Sequence, residues 1–298
     1  MKKIVYLSGG IGGAKLAKGF YHSKDIDLTI IINTGDDEVI HGVPLSPDID
    51  SVMYALAGIE GDMGWGVAND TFTVSDEYKK FIPQNFSIGD KDLALNLYRN
   101  QLLSEGKSLT EITKVFAEHL GLQCKLIPMT NDTVSTKLKT EDGSLLDFQE
   151  YFVEKQAKPK LTEVVYNGSE NAKISDELIM NIEEAEIVII GPSNPILSIG
   201  PILSLNKIKE KLSSHNNVYV INPFINNKAI KGPSKNNFED LGYSSDIQGI
   251  KKFYKDVGNN YIVHPGDSDG DQNTIEQNIL FNELEDSKKL VEFIVSHE

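Results

Sequence analysis

Cysteine is nearly absent. Cys124 stands alone in 298 residues, which excludes an intramolecular disulfide and any cysteine-built metal site and suits a reducing compartment. Positive charge is scarce too: 29 Lys and Arg face 44 Asp and Glu, a formal net charge of −15. Binding to DNA, RNA or anionic lipid rests on cations neutralising phosphates, so a field of this sign argues against nucleic-acid and membrane partners. Long apolar runs are also missing. The first, Ile4 to Leu7, stops at Ser8-Gly9-Gly10, short of the ~7–15 residues of a secretory signal, and none approaches the ~18–20 of a membrane span. The expectation is a cytoplasmic protein.

Several catalytic signatures are lacking as well. The six histidines show no zinc-type pairing. No G-x-S-x-G elbow is present, and Asp267-Ser268-Asp269-Gly270-Asp271 opens like a calcium loop but has Gln272 where the turn glycine belongs and Asn278 where the bidentate Glu belongs. It reads as a solvated turn. A dinucleotide fingerprint starting at Gly10 needs glycine where Lys15 stands, and Ala14 and Leu16 around Lys15 do not make a Walker A motif.

With 40% hydrophobic and 24% charged residues, the composition is that of a globular protein, and the length is about twice the ~150 residues of one average domain. The order is strand (Ile4 to Leu7), glycine turn (Gly9 to Gly13), helix (Ala14 to His22) and strand (Leu28 to Asn33). These strands are continuous apolar runs, as expected for parallel strands covered on both faces. Ile49, Val52, Met53 and Leu56 mark an amphipathic helix. Residues 75–160 read as an insertion with helices at Lys91 to Glu105 and Leu109 to Gly121, then a hairpin of Ser135 to Thr140 and Ser144 to Phe152 turning at Glu141-Asp142-Gly143. After it come a helix around Ser175 to Glu184, strand Glu186 to Ile190, helix Ile199 to Leu212, strand Val218 to Ile221 and a helical C-terminus. The alternation predicts an α/β fold: a doubly wound, mostly parallel Rossmann-like sheet built from 1–74 and 161–298.

A glycine turn between a strand and a helix is where such folds hold phosphates, because helix N-terminal N–H groups offer donors and partial positive charge. Four glycines in five positions exceed what a tight turn needs. Beyond it, Asp36, Asp37, Asp48, Asp50 and Asp70 fall at loop and element ends. A pair drawn from these acids suits Mg²⁺, which takes one or two carboxylates plus substrate phosphates. Helix capping by Asp48 and Asp50, turn formation by Asp36 and Asp37, and ribose binding by an acid after the second strand are the competing roles. Gly191-Pro192-Ser193-Asn194-Pro195 closes a strand at the end where α/β ligands bind, and Lys231-Gly232-Pro233-Ser234 repeats its pattern.

Six stretches in order resemble the 2-phospho-L-lactate transferase family of coenzyme F-420 biosynthesis: Ser8 to Lys15, Asn33 to Asp37, Pro47 to Tyr54, Gly64-Trp65-Gly66 through Asp70-Thr71-Phe72, Phe148 to Phe152, and Gly191 to Asn194 through Pro201. The resemblance implies transfer of a phospholactyl or phosphoenolpyruvyl group from a guanosine diphosphate-linked donor to the ribityl hydroxyl of the deazaflavin Fo, with release of GMP and Mg²⁺ present. It implies that Asp50 and Lys91 contact the deazaflavin, that Asp36, Asp37, Asp48 and Asp50 are the metal-side acids, and that Asp50 or Asp37 orients the acceptor hydroxyl. Gly9, Gly10, Gly12, Gly13, Ser193 and Asn194 would cradle the nucleotide diphosphate, with Lys15, Trp65, Asp70 and Lys231 as further substrate contacts. Many relatives carry Arg where Lys91 stands. A nucleotide-sugar-binding regulator of a related UDP-sugar-binding family, an NAD(P)-dependent oxidoreductase and, for assembly, a homodimer are the other expectations.

Overall fold

The computed structural model describes residues 1–82, 86–230 and 233–297. Among them, seven strands form one sheet: β1 (Lys2–Ser8), β2 (Ile26–Ile32), β3 (Lys125–Pro128), β4 (Ile187–Ile190), β5 (Val218–Ile221), β6 (Asn260–Val263) and β7 (Thr274–Glu276). In space they run β7-β6-β5-β4-β1-β2-β3, every pair parallel. The strand order therefore reverses between β1 and β4. The expected doubly wound fold is the observed one.

Strand residues alternate between two cores because successive side chains point to opposite faces. Ile4, Tyr6, Ile30, Ile187 and Ile189 pack with α1 (Gly10–Tyr21), α2 (Pro47–Ala57), α4 (Leu109–His119) and α5 (Leu284–Ser296); α3 (Asp90–Ser104) covers α2 and α4. Val5, Leu7, Ile31, Val188 and Ile190 face the other way, onto helices Asp176–Glu184, Asn206–Ser213 and Ile247–Phe253. Each fully buried aliphatic side chain contributes about 1.5–3 kcal/mol, so these two layers hold the sheet rigid behind the site. Among the described residues no helix is long and apolar enough to cross a membrane. Cys124 is half-buried, and burial pushes its thiol up to about 12, away from thiolate chemistry.

Several elements differ from expectation. Residues 125–128 lie inside the expected insertion, yet they form the edge strand β3; four residues ending in Pro128 carry little strand signal, and an edge is where a strand tolerates proline. Strand β7 is three residues with one apolar side chain and β6 opens on Asn260, so neither carries the unbroken apolar run that announces β4 and β5. The hairpin gains a third strand, giving a sheet of Leu145–Asp147, Ser135–Thr140 and Leu161–Asn167. Its second arm ends early, in a π-helical turn at Glu150–Glu154. The expected helix Ile199 to Leu212 is a π-helical turn, Pro195–Ile199, followed by two separate helices, Gly200–Leu203 and Asn206–Ser213.

Candidate active site

The reversal between β1 and β4 marks, beyond the carboxyl ends of the strands, the crevice position at which open α/β sheets bind ligands. Three loops meet there: Gly9–Gly13 after β1, Asn33–Asp37 after β2 and Gly191–Asn194 after β4. The N-terminus of α2 completes it.

Gly10 takes φ +60, a left-handed conformation that L side chains rarely adopt. That bend swings the chain from β1 into α1, whose first N–H groups have no intrahelical acceptor. Gly13 is demanded by proximity: a Cβ there would sit 2.3 Å from Ser8 Oγ and 2.6 Å from Ser193 Oγ. Ser193 is buried, and its Oγ accepts from the Gly9 N–H at 3.3 Å. Gly12 packs against the Pro192 carbonyl. The glycine turn and the Ser193 turn thus form one closely packed wall. Asn194 shapes the second turn by accepting from Ile196 and Leu197 N–H at 3.0 and 3.1 Å.

Asn33, fully buried, joins the acids. Its Nδ2 donates to Asp48 Oδ2 at 2.9 Å and to Asp36 Oδ1 at 3.3 Å, while its Oδ1 accepts from Gly35 N–H at 2.8 Å. Asp48 also accepts from the Gly10 N–H, so this acid of the first turn of α2 reaches across to the glycine turn. Burial, and then the neighbouring charges of Asp48 and Asp37, push the Asp36 carboxyl well above the carboxylate range. Burial raises Asp48 to about 6 against the pull of its Asn33 and Gly10 hydrogen bonds. Asp37 is raised as well, by burial, although Ser46 Oγ donates to its Oδ2 at 2.7 Å. Its Oδ1 is buried without a hydrogen-bond partner among the described residues. Crowded, buried carboxylates with one oxygen unpartnered form a donor set short of positive charge. Among the described residues no three His, Cys, Asp or Glu side chains form a complete cage; the donor set is hard, oxygen-only and partial, which suits Mg²⁺ completed by substrate phosphate and water.

Asp50 lies in the same helical turn as Asp48 but pairs with α3, and its charge and that of its partner Arg99 both reach Asp37. The two Asp50 oxygens accept from Arg99 Nη1 at 3.1 Å and from Arg99 Nη2. Burial raises its carboxyl, and the guanidinium offsets that rise. Lys91 and Asp70, by contrast, serve the α3 N-terminus. Asp70 accepts from Lys91 N–H at 2.8 Å and Asp92 N–H at 3.2 Å, and the Lys91 amine donates to the carbonyls of Ala68 and Asn69 at 3.0 and 2.8 Å. Trp65 is 55% exposed on the preceding loop. Lys15 is exposed on α1, its amine 3.4 Å from the Phe281 carbonyl. Lys231 lies outside the described residues. The structure therefore gathers Asp36, Asp37, Asp48, the glycines and Ser193 and Asn194, while Lys15, Asp70 and Lys91 make other contacts and Trp65 is exposed.

Sequence reasoning passed over Asn33, Ser46 and Arg99. Asn33 stands within a stretch that drew attention for its acids, and an uncharged amide offered no signal of its own. Arg99 carried one: it is the only arginine in the chain.

Comparison with known proteins bears on this geometry. Residues 4–281 match the family model described as 2-phospho-L-lactate transferase CofD. A 2-phospho-L-lactate transferase of Methanocaldococcus jannaschii is 40% identical over 260 residues, covering 85% of this chain and 83% of that protein. The Methanococcus vannielii enzyme of that name is 38% identical over 271 residues, covering 89% and 86%. Among solved structures, a UPF0052-family protein from Bacillus halodurans has a TM-score of 0.69 with 99% of both chains covered, at 16% identity, a likeness of fold. The match runs from β1 past β7 and includes every loop that meets at the crevice: this chain belongs to the 2-phospho-L-lactate transferase family.

Proposed function

We propose that the protein transfers a phospholactyl-type group from a guanosine diphosphate-linked donor to the ribityl hydroxyl of the deazaflavin Fo, releasing GMP, with Mg²⁺ bound at the Asp36–Asp48 pair. The observation that carries this reading is the Asp36–Asp48 pair, joined through Asn33 and set against the glycine turn at the point where the strand order reverses. A chain of net charge −15 repels a pyrophosphate unless something local reverses the potential. Mg²⁺, when bound, supplies that reversal by neutralising charge on the phosphate oxygens.

The residues of the chain do the rest. The N–H groups of the first turn of α1 beyond Gly10, whose own N–H Asp48 takes, donate to the pyrophosphate at the positive end of the helix. Asn33, with no charge to titrate, holds two carboxylates side by side so that both face one point. Asp50 accepts a hydrogen bond from the acceptor hydroxyl and orients it. In the transfer, a bond forms between that hydroxyl oxygen and the phospholactyl phosphorus, the phosphorus–oxygen bond to GMP breaks, and the hydroxyl proton passes through Asp50 to water. Chemistry of this kind needs positioning and charge stabilisation rather than a covalent nucleophile.

The test supplies purified protein with Mg²⁺, Fo and the guanylylated phospholactate-type donors. GMP release, a phosphodiester product by mass spectrometry, and loss of both in EDTA are expected. No product from the lactyl, enolpyruvyl or glyceryl donor, together with a melting temperature raised by a UDP-sugar or NADH instead of GDP, would reject the reading.

A further inference from the structure

Arg99 is 1% exposed, so the one guanidinium of the chain is sealed between α2 and α3. Its fork meets both oxygens of Asp50, Nη1 also donates to Asn96 Oδ1, and the Phe116 ring lies 5.5 Å from Cζ. Asn96 extends the contact: its Nδ2 donates to Asp92 Oδ1 at 3.2 Å, and that oxygen accepts from Tyr54 Oη at 2.7 Å. Asp50 and Tyr54 are four apart on α2. Asp92, Asn96 and Arg99 follow helical spacing on α3, so one face of each helix is laced to the other.

Stability alone does not explain this arrangement. A buried ion pair of this kind is often replaced by apolar side chains at no cost. Arg99 Nε, moreover, is buried without a partner among the described residues, which opposes folding. What a guanidinium supplies and an ammonium cannot is a planar fork that fixes the plane of the carboxylate it grips. That carboxylate sits two residues from Asp48, in the turn of α2 that closes the crevice.

We infer that Arg99 is a positioning residue: its fork withholds Asp50 from a cation at the Asp36–Asp48 pair and holds it for the acceptor. The identity of the acceptor as a deazaflavin rests on the function proposed above. With one guanidinium nitrogen on each oxygen, Asp50 has no open edge for bidentate chelation and its charge is already paired, while each oxygen keeps a lone pair for a hydroxyl.

The inference is tested with Arg99→Lys, Arg99→Met and the double variant Arg99→Met/Asp50→Asn, each measured for melting temperature and, by calorimetry, for GDP affinity with Mg²⁺ and for Fo affinity. Arg99→Lys keeps the charge and loses the fork; GDP affinity stays at the wild-type value and Fo affinity falls about tenfold or more. Arg99→Met melts well below wild type, and the double variant recovers melting temperature without recovering Fo affinity. Recovery of Fo affinity in the double variant, or an equal loss of GDP and Fo affinity in Arg99→Lys, would overturn the inference, as would a wild-type protein that does not bind Fo. Fo binding that depends on Arg99 in a protein that makes no phosphodiester would sink the transfer reaction and leave the positioning role standing.

Discussion

Asp269 and Asp271 share the Lys251 amine at 2.7 and 3.1 Å, whereas Asp36 and Asp48 share an asparagine. Both groups are short-range clusters of aspartates in an acidic chain, and both caught attention in the sequence as possible cation loops. Around Asp269, hydrogen bonds from Lys251 and Thr274 outweigh burial and hold the carboxyl down at about 2. At Asp48 burial wins and the carboxyl rises to about 6. Acids that already have a lysine have no use for a metal, while buried acids joined by an amide remain short of positive charge. The crevice is distinguished by what its carboxylates lack.

That contrast is most sharply broken or upheld by Asp48→Asn. Removing one of the crowded acids is expected to lower transfer by about 10²-fold or more, the scale of a lost electrostatic contact to a transition state, while the melting temperature holds or rises because a buried like-charge pair is relieved. A matched loss of stability and rate would assign Asp48 to the fold alone. Enzyme kinetics and calorimetry on one preparation decide it.

A second effect concerns pH. Asp48 titrates at about 6 in the folded chain, above its ordinary 3.8, so between those values the native state holds a proton that the unfolded state has released. Stability of the metal-free protein from this group is present below 3.8 and is lost as pH rises through about 6. Asp269 behaves oppositely: lowered to about 2, its contribution is present above 3.8 and is lost as pH falls toward that value. On the proposed function Mg²⁺ competes with the proton at the crevice, so adding it with GDP is expected to raise the melting temperature more at pH 8 than at pH 5. Equal shifts at both would contradict the competition.

Smaller effects follow. Gly10→Ala forces a side chain into φ +60 and is expected to cost about 1 kcal/mol, measurable by denaturant unfolding. Lys251→Met, at the partnered cluster, should lower the melting temperature by no more than about 4 °C and leave transfer unchanged. A loss of transfer there would erase the distinction between the two clusters.

Much of the fold could be read in the chain because β1, β2, β4 and β5 are apolar runs long enough to show burial on both faces, and because Gly9–Gly13 marks the strand-to-helix turn. The site was only half legible. Spacing put Asp48 and Asp50 in the first turn of a helix, and capping explained them equally well. What separates the two roles is tertiary: Asp48 reaches Gly10 and Asn33, and Asp50 reaches an arginine 49 residues away. The family resemblance pointed to Asp70 and Lys91 as substrate contacts, yet here they bind the α3 N-terminus and the loop before it, contacts that local pattern does not encode. Asn33 was hidden for a simpler reason, since an amide has neither charge nor periodicity to announce it.

The central claim is that the Asp36–Asp48 pair holds a cation through which an acidic protein grips a guanosine diphosphate. Calorimetric titration of the wild-type protein with GDP, with Mg²⁺ and then in EDTA, tests it most directly. The account predicts binding that requires Mg²⁺ and is lost in Asp48→Asn; GDP binding of equal affinity without the metal, or undiminished in that variant, would contradict it.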